Sequence, residues 1–164
     1  YYPNSIIAYS FSKELSLAGE RIGFIAVHPE IESKKLILEG LIICNRILGF
    51  VNAPALAQRI VSNCAFSKVN VGIYQKRRDI ICEILNEAGL SFVKPKGGFF
   101  IFPKVPVEDL SFCEILKKEL ILVVPGRAFG NSNHVRLSFC VPEDILLNMK
   151  PNFIRACKKV FEYV

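Results

Sequence analysis

The chain has 164 residues, 51% of them hydrophobic, with a mean hydropathy of +0.34 and a formal net charge of +6. No uninterrupted apolar run approaches the length of a bilayer span, so the apolar excess is not a transmembrane helix, no membrane partner is expected, and the excess reads as surface to be covered by another domain or subunit. The basic residues come in pairs on predicted helices, such as Lys34 with Lys35 and Lys117 with Lys118, with no interleaved stacking aromatics, and this excludes nucleic acid as a partner.

The first four residues lack the basic start and apolar core of a secretory leader, and the chain reads as though cut from the middle of something longer. Residues 6–11 and 22–27 are short apolar runs, the second closed by His28 and Pro29, and both are predicted as strands buried on both faces of a helix-covered sheet. Residues 31–48 predict a helix that is apolar nearly all round in its second half (Leu41, Ile42, Ile43, Ile47, Leu48), hence buried or in a subunit interface. Asn52-Ala53-Pro54 breaks the pattern, which resumes over 55–65. A long amphipathic helix follows, with Ile73, Tyr74, Arg77, Ile80, Ile81, Ile84, Leu85 and Ala88 on one side and Gly89 at the place of a carboxyl cap.

Beyond Gly89 the texture changes to short strand candidates at 91–93, 99–102, 121–124 and 135–139, interleaved with a helix over 108–119. That helix opens on Glu108 and Asp109 and ends near Lys117 and Lys118, which complements its dipole. A final helical region starts at Pro142-Glu143-Asp144, is expected to be interrupted at Pro151, and ends at Tyr163. The division falls near residue 70: 1–70 reads as the end of a buried α/β sheet domain, and 71–164 as a smaller α+β domain. The six cysteines are never closer than 17 positions and form no CxxC pair, which points to reduced thiols and a cytoplasmic setting.

Lys13 is the first residue with chemistry to offer. It follows the apolar run at 6–11, with Ser10 and Ser12 beside it and Arg21 eight positions on. An amine at the end of a buried strand must be neutralised, paired or used, and desolvation would lower its pKa, as a Schiff-base lysine needs. Serine hydroxyls and a guanidinium suit a phosphate. Arg136 is the second. Strict alternation over 134–139 puts Val135, Leu137 and Phe139 on one face of a strand and His134, Arg136 and Ser138 on the other. The two histidines have no second ligand at metal spacing, so no metal site is expected.

The run Ser10-Phe11-Ser12-Lys13, continuing through Ser16, Leu17, Gly19, Arg21, Ile22 and Gly23, satisfies every constrained position of a known lysine signature. On it the chain resembles the carboxyl-terminal portion of a class I, fold-type I pyridoxal-phosphate-dependent aminotransferase of the aspartate aminotransferase superfamily. The resemblance implies an α/β fold: the end of a mixed-sheet large domain at 1–70, and a small carboxyl-terminal α+β domain at 71–164. It implies pyridoxal 5'-phosphate held as a Schiff base on Lys13, which is also the catalytic residue, with Ser10, Ser12 and Arg21 on the cofactor phosphate. Arg136, in a VRLSF strand, would clamp the substrate α-carboxylate. Residues 95–103 resemble the family's glycine-aromatic turn at the substrate entrance, and 124–130 a loop between small-domain strands. The implied substrates are an L-amino acid and a 2-ketoacid, and the implied assembly of the full-length protein is a homodimer. The family's phosphate-binding glycine helix, ring-stacking aromatic and ring-nitrogen aspartate have no match here, so the chain by itself is expected to bind cofactor weakly and to turn over little. Two other readings stay open on the residues: a lyase or decarboxylase on the same fold, and a non-catalytic domain that keeps the motif.

Overall fold

In the computed structural model, which describes residues 2–64 and 66–162, the first apolar run forms β1 (Ile6–Ser10) and the second forms β2 (Gly23–Val27). The two pair antiparallel, with Ile6 opposite Val27 and Ser10 opposite Gly23. Between them β1 turns directly into the one-turn helix α1 (Phe11–Glu14), capped by the side chain of Ser10, so Phe11 is helical and not the last residue of the strand. Tyr9 stacks on Phe24 at 5.0 Å and meets Phe11 edge-on at 5.2 Å, which gives the ribbon one aromatic cluster.

The expectation that both strands are buried on both faces is not met. Ile6 is 49% and Ile7 59% exposed, and successive strand residues point to opposite faces, so neither face of the ribbon is covered. A lone strand pair has no second layer of its own. Helices α2 (Lys34–Ile47) and α3 (Ala55–Cys64) follow, and α2 buries no residue, with Ile47 78% exposed. Among the described residues up to Val69, only Ile22 and Ala57 are buried hydrophobics. This part forms one unit, Tyr1–Val69, and the remainder a second, Asn70–Val164.

The second unit holds the core. Helix α4 (Val71–Glu87) starts where the Asn70 side chain accepts the Gly72 N–H at 3.0 Å, and it stops at Gly89, whose φ of 73° favours glycine. Then come β3 (Phe100–Ile101), α5 (Asp109–Lys118), β4 (Val124–Pro125), a 3₁₀ turn over Gly126–Phe129, β5 (Val135–Ser138) and α6 (Glu143–Glu162). The sheet order is β3-β5-β4, both pairings antiparallel. Val135, Leu137 and Phe139 are buried as the alternation predicts. Ile81, Ile84 and Leu85 from α4, Phe112 and Leu116 from α5, and Phe153 and Cys157 from α6 complete the core. All six cysteines are free.

The strand candidate at 121–124 forms only as Val124–Pro125, and two further expectations fail here for identifiable reasons. No strand forms at 91–93: a single bond, from the Lys104 N–H to the Ser91 carbonyl at 2.8 Å, joins that segment to its neighbour. Pro95 and Pro103 beside it carry no N–H with which to extend a ladder. Pro151 does not interrupt the last helix but lies inside α6. An interior proline costs about 3 kcal/mol. Burial of Leu146 before it and of Phe153, Ala156, Cys157 and Val160 after it holds both halves on the core, at roughly 1.5–3 kcal/mol for each large side chain. The expected end at Tyr163 lies outside the described residues.

Candidate functional site

Ser10, Ser12, Lys13 and Arg21 gather at one end of the β1–β2 ribbon. Ser10 is both the last residue of β1 and the cap of α1, and its Oγ accepts the Ser12 N–H at 3.2 Å while donating to Ser12 Oγ at 2.9 Å. Lys13 lies on the single turn of α1. The chain then loops back, and the Phe11 N–H donates to the Ile22 carbonyl at 3.2 Å, which fastens the start of the helix to the start of β2. Arg21, just before that junction, has a φ of 52°, unusual for a residue with a side chain. Its Nη1 donates to the Ala18 carbonyl at 3.0 Å, and among the described residues it has no carboxylate partner.

Lys13 is exposed. The burial expected from its strand is absent for the reason already given: the ribbon has no covering layer. What the fold does assemble is a donor set of two hydroxyls, one guanidinium without a counter-ion, and an amine, on a strand–turn–helix frame. That set suits an aldehyde bearing a phosphate: oxygen ligands for the dianion, and a nucleophilic nitrogen for the carbonyl.

Arg136 lies on β5 in the second unit, on the face away from the core, and is half-buried. Its guanidinium carbon sits over two rings, 4.4 Å from the centre of Phe100 and 4.5 Å from that of Phe129. Among the described residues no hydrogen bond or carboxylate engages it, so a planar, half-buried fork is offered with its N–H edge available. Such an arrangement receives a carboxylate in bidentate fashion.

Sequence reasoning missed the aromatic pair and a second ionic feature. Asp109, read as an acid complementing the dipole of α5, is fully buried. Its carboxylate accepts the Arg127 backbone N–H at 2.7 Å, Arg127 Nε at 2.9 Å and Nη2 at 2.7 Å, and the Leu110 N–H at 3.0 Å. Glu108 takes the same Nη2. Hydrogen bonds from Arg127 hold the Asp109 carboxyl below the usual carboxylate range against the opposing effect of burial, and the pair raises Arg127 in turn. The partners stand 18 residues apart, a pairing that no helical or strand period encodes. In the sequence Phe100 stands out only as part of a strand candidate and a glycine-bearing turn, and Phe129 only as part of a glycine-bearing turn.

His134 stacks on Phe102 at 4.9 Å. Among the described residues no group of three or more His, Cys, Asp or Glu could hold a metal ion, and no helix is long and apolar enough to cross a membrane.

Comparison with known proteins places these features in a family. A family model for aminotransferase class I and II matches residues 1–148. The aromatic-amino-acid aminotransferase 2 of Thermococcus litoralis is 34% identical over 145 residues, which is 84% of this chain and 37% of that protein. The aspartate aminotransferase of Thermotoga maritima is 32% identical over 130 residues, 79% of this chain and 33% of its own. Among solved structures, an amino transferase from Eubacterium rectale superposes with a TM-score of 0.82 at 36% identity, covering 97% of this chain and 40% of that one. The chain thus spans well under half the length of the relatives it matches.

Proposed function

The chain belongs to the class I and II aminotransferases, and from that premise we propose that the protein carrying it moves an amino group between an L-amino acid and a 2-ketoacid, using pyridoxal phosphate held as a Schiff base on Lys13. The observation that carries the proposal is the end of the β1–β2 ribbon, where Lys13 and two hydrogen-bonded serine hydroxyls lie at α1 and the loop carrying Arg21 returns to the start of that helix.

Each residue has a distinct task in this reading. Ser10, Ser12 and Arg21 bind the cofactor phosphate. Lys13 Nζ is the point of covalent attachment and the base that would take the proton from substrate Cα and hand it to the cofactor's former aldehyde carbon. Arg136 binds the substrate α-carboxylate and so orients the Cα–H bond. The cofactor, when bound, supplies an electron-accepting ring conjugated to its aldehyde carbon. Residues 1–70 are assigned to the cofactor-binding large domain and 71–164 to the small carboxyl-terminal domain of a cytoplasmic homodimer.

The test is borohydride trapping of cofactor on the full-length protein, followed by peptide mapping, beside an assay of amino transfer to a 2-ketoacid. A pyridoxyl adduct on Lys13, lost in Lys13→Ala together with transfer, is the expected result. An adduct elsewhere, or transfer that persists in Lys13→Ala, would overturn the assignment. Release of ammonia or carbon dioxide in place of transfer would reassign the reaction to a lyase or decarboxylase.

A further inference from the structure

We propose that Asp109 and Arg127 are positioning residues for Arg136: their ion pair fixes the 3₁₀ turn that lays the Phe129 ring against the Arg136 guanidinium and so aims its N–H edge at a substrate carboxylate. The inference rests on the reading of Arg136 as the carboxylate clamp, and it assigns work to residues outside that clamp.

The turn Gly126–Phe129 is anchored at several points. Asp109 binds it through the Arg127 backbone N–H as well as through the Arg127 side chain, and the Asp109 N–H donates to the Ser132 carbonyl at 2.9 Å just beyond the turn. On the side of β5, the Gly126 N–H donates to the His134 carbonyl at 2.8 Å. A Cβ on Gly126 would stand 2.2 Å from the Asn131 carbonyl oxygen and 2.3 Å from that of His134, so the backbones approach as closely as glycine permits. Phe129, at the end of this tethered turn, is 49% exposed and buries little in the core. Its ring contacts among the described residues include Phe102, edge-on at 6.0 Å, and Arg136.

Ring contacts orient a guanidinium through its flat face while leaving its in-plane donors for an acceptor. With Phe129 held by the turn and Phe100 held on β3, Arg136 has its orientation set before any ligand arrives. Arg127 also occupies both carboxylates at the start of α5, so Asp109 and Glu108 are committed to it and not to Arg136. A buried carboxylate with four donors, placed where the sequence needs only a helix start, is explained by this task.

The experiment uses the full-length, cofactor-loaded protein and steady-state kinetics with one amino acid. The variants are Arg136→Ala, Phe129→Leu, Arg127→Gln, and Arg127→Gln combined with Arg136→Ala. Phe129→Leu and Arg127→Gln should each raise the amino-acid KM about tenfold with a much smaller change in kcat, as expected when coupled residues act through one binding group. In the Arg136→Ala background, Arg127→Gln should add nothing further to KM. Should Arg127→Gln fail to fold, the exposed Phe129→Leu still decides the matter. An unchanged KM in Phe129→Leu and Arg127→Gln, with a raised KM in Arg136→Ala, would overturn the positioning role and leave the clamp standing. The same rise from Arg127→Gln with and without Arg136 would also overturn it, since the effect would not pass through Arg136. An unchanged KM in Arg136→Ala itself would remove the clamp reading, and this inference with it.

Discussion

Gly23 passes so close to Tyr9 that a Cβ on it would lie 2.3 Å from the Tyr9 carbonyl oxygen. Gly23 opens β2 opposite Ser10, immediately after the turn that brings Arg21 back beside α1. The close approach is therefore a condition for having Ser10, Lys13 and Arg21 at one end of the ribbon, and glycine is the residue that allows it.

Gly23→Ala should push the two strands apart at this pair. A backbone clash of this kind is expected to cost about 1–3 kcal/mol in denaturant unfolding. On the proposed function it should also speed loss of pyridoxal phosphate on dialysis, followed by absorbance of the retained protein. Alanine accepted without loss of either stability or cofactor would show that the ribbon adapts.

The Asp109–Arg127 pair predicts a pH dependence with a definite sign. The folded carboxyl is held below its ordinary value, chiefly by hydrogen bonds from Arg127, so the unfolded chain binds the proton more readily. The pair's stabilisation is then complete above the unfolded value, about 4, and is lost as pH falls through the depressed folded value. Asp109→Asn should be less stable than the parent at pH 7, and the gap should narrow as urea unfolding is repeated at lower pH. A gap that stays constant from neutral pH into the acid range would mean that ionisation of Asp109 contributes nothing.

How far the sequence could be read follows from the range of each signal. Val135, Leu137 and Phe139 announced their burial because strand alternation is a local period, and the stop of α4 at Gly89 is a local conformational demand. The signature from Ser10 to Gly23 carried the family because many of its positions are constrained together. Asp109 gave a misleading signal: an acid in the first turn of a helix is ordinarily a surface residue serving the dipole, and only the fold brings Arg127 onto it. The aromatic contacts of Arg136 come from strand β3 and from the 3₁₀ turn, which meet beside β5 through tertiary packing. β1 and β2 stand exposed in this chain because apolar runs report a preference for cover and not its presence.

A proline at 151 predicts a break, yet α6 continues across it, and that continuity is open to measurement. Pro151→Ala would restore an N–H donor within the helix and remove the ring from the preceding turn. Because α6 is packed on both sides of the site, the change should stabilise the protein, by up to about 3 kcal/mol on intrinsic propensity. Thermal or urea unfolding of the variant measures this directly. A loss of stability would show that the packing of α6 depends on the proline's distortion of the helix.

Arg136→Lys separates the planar fork from its charge. Lysine keeps one positive charge at the strand position, but its ammonium is a compact, strongly hydrated point with no flat face to lie over Phe100 and Phe129 and no pair of parallel donors. If charge alone bound the substrate carboxylate, lysine would retain most of the affinity. The rings at β5 engage the face of the guanidinium, and on the proposed function its edge binds the carboxylate, so Arg136→Lys should raise the amino-acid KM by roughly tenfold to a hundredfold, with a smaller effect on kcat. The same variant should bind a substrate amine lacking the α-carboxylate as well as the parent does. Equal weakening toward the carboxylate-bearing and carboxylate-free ligands would place the defect in the pocket at large and remove Arg136 from the role of carboxylate receptor.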